Sequence, residues 1–368
     1  MVDEIVAERG VRTPFVRMAR EGTLVDRACF TRSAGFGAQI ADQLDPDGVL
    51  MQYAAGATFI LKGMHRFWPP IINFVRGMAS DIGHSVQTNA YITPPANRGF
   101  DPHYDVHDVF VLQVSGTKRW RVHEPVHQHP LPDQPWTDHR EPIAERAKDD
   151  PVIDTVLEPG DCLYLPRGWV HSAEAQGETS IHLTVGVAPL TGHDVATAMI
   201  EALASEEELR ASLPFGFAPA ESARAEPHTR EVLDVLARLI AEKQEQLSAL
   251  AGDALAEKYL DLTRPAAIRP LATLDAVASL DADTQLRLRE GLHARVDCTD
   301  SDSAAANTDT AVLRLPTKSV TFPVVCASAL RAVLEGAPVS AGSLPGLDAD
   351  DGLVVLRRLL REGVVVAL

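Results

Sequence analysis

A chain of 368 residues, 45% of them hydrophobic, carries enough apolar material for two or three packed domains. Its 51 acidic against 34 basic residues give a formal charge of −17, which disfavours nucleic acid and anionic membrane and attracts basic partners. The four cysteines (Cys29, Cys162, Cys298, Cys326) are scattered without a C-x-x-C, and the start MVDEIVAERG has no apolar segment. Those features predict a cytoplasmic protein with neither a disulfide framework nor a secretion signal, and the lack of any apolar run near ~18 residues predicts no membrane span.

Residues 1 to 50 mix polar and apolar positions with short helical patterns. Leu50–Leu61 (LMQYAAGATFIL) reads as a strand with a glycine bend, ended by Trp68-Pro69-Pro70. Ile71–Ile82 has helical spacing, with Ile72, Val75 and Ala79 on one face. From Val86 the texture changes to short runs rich in β-branched and aromatic residues, broken by proline and glycine, the pattern of an antiparallel sandwich or barrel. Strands are expected at Gln87–Thr93, Val106–Ser115, Lys118–Glu124, Ile153–Leu157, Asp161–Leu165, Ser172–Ala175 and Ser180–Val187, with a hairpin turn at Ser115-Gly116. Residues 126–152, rich in proline, histidine and acids, form a long loop or insertion.

After Pro189 the strand signal stops. His193–Leu213 and Glu231–Leu262 are helical, with apolar stripes (Leu233, Leu236, Ile240; Leu247, Leu250) that either pack on their own barrel or pair two chains; pairing is the preferred reading. From Pro265, LRLREG and HARVDC lead through a Ser/Asp/Ala loop (Asp300–Thr310) into AVLRLPTKSVTFP, the helix VVCASALRAVLEG, the helix DDGLVVLRRLLREG and a last strand VVVAL. That order suits a winged helix-turn-helix. Its second helix opens on Asp348, Asp350 and Asp351, so DNA reading is not expected. The domains are drawn at 1–190, 191–264 and 265–368.

His103 and Asp105 stand two apart where a β-type run begins, so both side chains can share a face. His171 follows the turn Pro166-Arg167-Gly168 at the end of another apolar run. Two imidazoles and a carboxylate with no thiolate nearby argue against structural zinc and suit a non-haem Fe(II) site with open positions. An acid chelating such a metal needs a cation for its far carboxylate. Lys118 opens the next strand, and Tyr91 and Asn89 share one face of the preceding one. His107 reads as a neighbour of the triad or a surface residue, His182 as structural or as a neighbour of the site, and Cys162 as a core residue. His123, His127, His129 and His139 belong to the acidic loop or its edge.

NAYITPP, the triplet HYD, FVLQVSGTKRWRVHEP and LYLPRGWVHSAEA resemble the JmjC-type cupin oxygenases of the ribosomal oxygenase group, over about residues 50 to 190. The resemblance implies an α+β chain: a double-stranded β-helix (cupin, or JmjC, jelly roll), then a helical dimerisation module and a C-terminal winged helix. It implies Fe(II) on His103, Asp105 and His171, and 2-oxoglutarate met by Lys118, Tyr91 and Asn89. Gly186 stands where some members carry a hydroxyl, with Thr184 as its replacement. The implied activity is hydroxylation of an arginine or histidine side chain in a ribosomal protein, by a homodimer. The alternatives are a hydroxylase of a peptide natural-product precursor and a catalytically silent cupin that binds partners.

Overall fold

The computed structural model describes the chain except for residues 38, 96, 99, 215–221 and 300–309, so the expected Ser/Asp/Ala loop lies outside the described residues but for Thr310. The chain forms two compact units, Met1–Pro189 and Leu190–Leu368.

The first unit is a two-sheet antiparallel sandwich. Its strands are β1 (Val16–Arg20), β2 (Thr23–Leu24), β3 (Thr58–Leu61), β4 (Ser85–Thr93), β5 (Asp108–Ser115), β6 (Lys118–His123), β7 (Ile153–Leu157), β8 (Cys162–Leu165), β9 (Val170–Ala175) and β10 (Ser180–Ala188). The large sheet has the order β8-β5-β10-β4-β3-β1-β2 and the small one β9-β6-β7. Sequence neighbours β5 and β6 lie in different sheets, and so do β9 and β10. The chain therefore winds back and forth between two facing layers, as in a jelly roll.

Alternation along each strand decides the layering. In β4, Ala90 and Ile92 point outward into a core with Ile5, Val16, Met18, Phe59 and Leu61. The intervening Asn89 and Tyr91 face the sandwich interior. There Val109, Val111, Trp120, Val122, Leu157 and Leu165 close the far end against each other.

The expected strand at Leu50–Leu61 is a helix, Pro46–Ala54, followed by β3. Pro46 and Asp47 open that helix, and Pro at its first position fixes a helical φ that the apolar run alone does not reveal. The Ile71–Ile82 helix is present as Pro69–Ile82, burying Val75 and Ala79 and ending on Gly83 in the left-handed region. Cys162 is exposed, contrary to its reading as a core residue. On the edge strand β8 it is Leu165 that is fully buried, and alternation turns Cys162 and Tyr164 outward.

In the second unit, helices Gly192–Leu203, Ser222–Glu242 and Gln244–Leu262 enclose Leu203, Leu239 and Leu247. A separate core, including Leu286, Leu313, Phe322, Leu330, Leu356 and Val365, gathers a three-stranded sheet (Arg295–Thr299, Thr310–Leu315, Lys318–Pro323), helices Ala327–Leu334 and Ala349–Arg361, and the pair Leu286–Leu288 with Val365–Ala367. No helix among the described residues is long and apolar enough to cross a membrane.

Candidate metal centre and its pocket

His103 and His171 are held together before any ligand arrives. Their backbones form an antiparallel bridge: His171 N–H donates to the His103 carbonyl at 2.8 Å, and His103 N–H returns a bond at 3.2 Å. The turn before His171 is tied to the other ligand segment, since Gly168 N–H donates to the Asp105 carbonyl at 3.0 Å. Gly168 has φ +89, and a Cβ there would sit 2.5 Å from the His127 carbonyl, so this turn requires glycine.

The imidazoles are oriented by backbone carbonyls. His103 Nδ1 donates to Asp101 O at 2.7 Å and His171 Nδ1 to Trp169 O at 3.0 Å. A carbonyl only accepts, so each Nδ1 carries the proton and each Nε2 offers its lone pair to the pocket. Asp105 Oδ2 lies 3.9 Å from His171 Nε2, and one donor atom from each of the three residues falls within 4.8 Å of the others. Burial raises the Asp105 carboxyl, but His171, His103 and His107 together hold it below its ordinary value. The His171 imidazole is pushed down to about 4 by burial and by His103, against the pull of Asp105. At neutral pH the cluster thus holds one carboxylate and an uncharged His171 whose Nε2 lone pair faces the pocket.

The pocket behind it, about 570 Å³ with its mouth included, runs from the three ligands to Lys118. Lys118 is 3% exposed, and its Nζ donates to Thr93 Oγ1 at 2.9 Å. Burial draws its ammonium down to about 7. Tyr91 also lines the pocket, hydrogen-bonded to Thr184 and stacked on His182 with ring centroids 4.9 Å apart. Burial and then the Asp105 charge push the Tyr91 phenol well above its ordinary value. Trp120 Nε1 and His182 Nδ1 are buried at the pocket wall without a hydrogen-bond partner. Unpartnered polar atoms in so dry a place are costly unless a ligand meets them.

His103, Asp105, His171, Lys118, Tyr91 and Thr184 thus converge on one pocket. Asn89 stands on the same strand face, but its Oδ1 accepts from Gly63 N–H at 2.9 Å and it is not among the lining residues. Gly186 lies elsewhere. It is six residues along β10 from Ser180, the partner of Thr93, so about 20 Å from the Lys118 end at the usual strand rise. A Cβ on it would meet His107 Cε1 at 3.0 Å and Gln87 Cγ at 3.3 Å. A side chain at 186 therefore has no bearing on a carboxylate held at Lys118. Trp120 and Thr93 went unrecognised in the sequence, although each stands two residues from a named one on its own strand.

The loop after β6 forms a wall beside the metal ligands. Trp136 packs against His103 with centroids 6.0 Å apart, and the Arg140 guanidinium lies 4.5 Å over the Trp136 ring. Tyr104, between the two ligands of the H-x-D pair and 1% exposed, donates its hydroxyl to the Gln134 carbonyl at 3.0 Å. Gln134 Oε1 in turn accepts from Leu131 N–H, and it stands 3.0 Å from His127 Nε2.

A family model described as the JmjC domain matches residues 65–195. Ribosomal oxygenase 1 of Rattus norvegicus is 40% identical over 134 residues, 36% of this chain and 22% of that protein. A Drosophila erecta protein named bifunctional lysine-specific demethylase and histidyl-hydroxylase NO66 is 45% identical over 103 residues, 28% of this chain and 15% of its own. The matched stretch is thus about a fifth or less of the length of these relatives. Among solved structures, Escherichia coli ycfD aligns over 100% of this chain and 91% of its own, with a TM-score of 0.53 at 16% identity, a likeness of fold. Residues 65–195 thus match a JmjC domain and are similar to ribosomal oxygenases, and the converging donor atoms of His103, Asp105 and His171 lie inside the matched segment, within the sandwich.

Proposed function

We propose that the chain is an Fe(II)- and 2-oxoglutarate-dependent hydroxylase of a polypeptide side chain, an arginine or histidine of a ribosomal protein. The observation that carries this reading is the pairing, in one pocket, of the His103/Asp105/His171 cluster with the buried Lys118 ammonium. The donor set fits iron: nitrogen and oxygen ligands without a thiolate, on one side, leaving positions open. The rest of the pocket fits a small diacid, because Lys118, Trp120 Nε1 and the Tyr91 hydroxyl are buried groups able to donate to carboxylate oxygens. Iron and 2-oxoglutarate, when bound, supply the oxidising power that an unactivated C–H bond demands. This chain's part is to hold and screen. His103 and His171 present fixed lone pairs, Asp105 stays ionised, Lys118 anchors the far end of the diacid, and Leu165, Val109 and Val111 keep water from the interior. Trp136 and Phe100, beside His103, form the side by which a substrate residue would approach.

The ribosomal target is supported by the names of the relatives and by the charge of −17, which favours a basic protein. The purified chain with Fe(II), ascorbate and O₂ should release succinate from 2-oxoglutarate and add 16 Da to a ribosomal protein in a pool from a gene-deleted strain. Absence of both products, with iron bound, would refute the reading.

We also infer that the second unit pairs two chains through its helices, supported by Leu233 at 63% and Leu250 at 43% exposure on helices that already bury Leu239 and Leu247. Light scattering should give twice the 39.8 kDa chain mass, and Leu233→Glu should shift it toward one copy. A wild-type chain of single mass would refute the pairing.

A further inference from the structure

The interior face of the large sheet continues beyond the pocket onto β3 and β1. Tyr91 pairs with Ile60 and Ile60 with Arg17, so the three stand in one row on one face. At about 4.8 Å per strand, the Arg17 backbone is about 10 Å from that of Tyr91. Lys62 follows Ile60 by two residues and keeps to the same face. Its N–H donates to the Phe15 carbonyl at 2.7 Å, which extends the pairing. Thr58, on that face of β3, already lines the pocket.

Arg17 is exposed and Lys62 half-buried. Burial, and then the charge of Arg17, both lower the Lys62 ammonium from its ordinary value. Among the described residues neither forms an ion pair, a state they share with Arg20, Arg27, Arg66 and Arg167 of the same unit. What distinguishes this pair is that the two cations repel each other and share the sheet face that continues from the pocket. An anion bound between them would relieve both the repulsion and the partial desolvation.

We propose that Arg17 and Lys62 form a subsite that reads an acidic residue of the polypeptide substrate, about three positions from the side chain that enters the pocket. The spacing is counted from the pocket wall at Tyr91: an extended peptide rises about 3.4 Å per residue, so the about 10 Å across the strands to Arg17 spans about three residues. The anion is a peptide carboxylate, because two cations supply too few phosphate contacts to hold a nucleic acid against an acidic surface. The subsite rests on the polypeptide-hydroxylase reading and adds sequence selectivity to it. The acidic surface as a whole attracts a basic protein, and this pair chooses the segment.

The test is selection by binding, independent of turnover. The full chain, loaded with Mn(II) and held under nitrogen, is immobilised and offered thirteen-residue peptides with a central histidine or arginine and randomised flanks. Retained peptides should be enriched at least about threefold in Asp or Glu two to four positions from the centre on one side. The R17Q/K62Q variant, shown folded by its thermal melt, should lose that enrichment, and R17E/K62E should exchange it for Lys or Arg. A wild-type chain with no acidic preference, a preference unchanged in R17Q/K62Q, or displacement by a single-stranded oligonucleotide at lower charge-equivalent concentration than by an acidic peptide would overturn the proposal. If acidic peptides are retained but the wild type releases no succinate, the hydroxylase reading fails and the subsite stands.

Discussion

Replacing Asp105 with alanine should cut 2-oxoglutarate turnover by at least about a thousandfold, because it removes the sole anionic donor of the metal set. The fold should survive. The Asp105 contact to the turn before His171 runs through its carbonyl, and the bridge between His103 and His171 is backbone to backbone. In the metal-free protein the loss also strands no buried charge, since His171 is already neutral at pH 7 with its imidazole near 4. The melting temperature of the apo chain should therefore stay within about 5 °C of wild type, while iron retained after desalting falls sharply. Iron content by mass spectrometry and succinate by chromatography check both halves. A variant that kept a tenth of the activity would remove Asp105 from the ligand set.

The second large effect concerns Lys118. With its ammonium drawn to about 7 by burial, the free protein holds a charged lysine below that pH and a neutral one above it. A diacid binds the charged form, so its dissociation constant should rise with pH. One proton linked at about 7 gives roughly a fiftyfold increase between pH 7 and 9. Lys118→Met keeps the bulk, loses the charge, and should weaken 2-oxoglutarate about a hundredfold at pH 7 while flattening the pH profile. Stability responds in the same window. The folded value lies below the unfolded one near 10.4, so between about 7 and 10.4 the unfolded chain binds more protons and the ligand-free fold gains stability as pH rises. Calorimetric titration at pH 7, 8 and 9 decides the matter. A flat wild-type profile would mean that Lys118 does not bind the acid as an ammonium.

The cluster of His103, Asp105 and His171 was legible because two local patterns signalled it: H-x-D at the head of a strand, and a glycine turn that hands His171 to the next one. Lys118 was legible as the cation opening the strand after the Ser115-Gly116 turn and Tyr91 as a phenol on the neighbouring strand, and both line the pocket. What alternation does not supply is register between strands distant in sequence. His182 read as a structural histidine or one beside the site, since a lone imidazole carries no local mark that separates the two. Its pairing with Tyr91 turns it into the pocket. Register also separates Gly186 from Lys118, which the family resemblance had joined. The Leu50–Leu61 run failed for a different reason: its apolar residues fit either period, and the proline at the helix start decided between them. Cys162 failed because edge position, a property of the assembled sheet, sets its exposure.

The bond from Tyr104 to Gln134 has a kinetic consequence. Swinging that wall aside would break the bond of Tyr104, the residue between His103 and Asp105, and leave a buried hydroxyl unpaired. On that cost the segment beside the site is expected to act as scaffolding rather than as a gate. Encounter with the substrate should be governed by diffusion and charge, its rate falling with added salt, and no slow opening step should precede it.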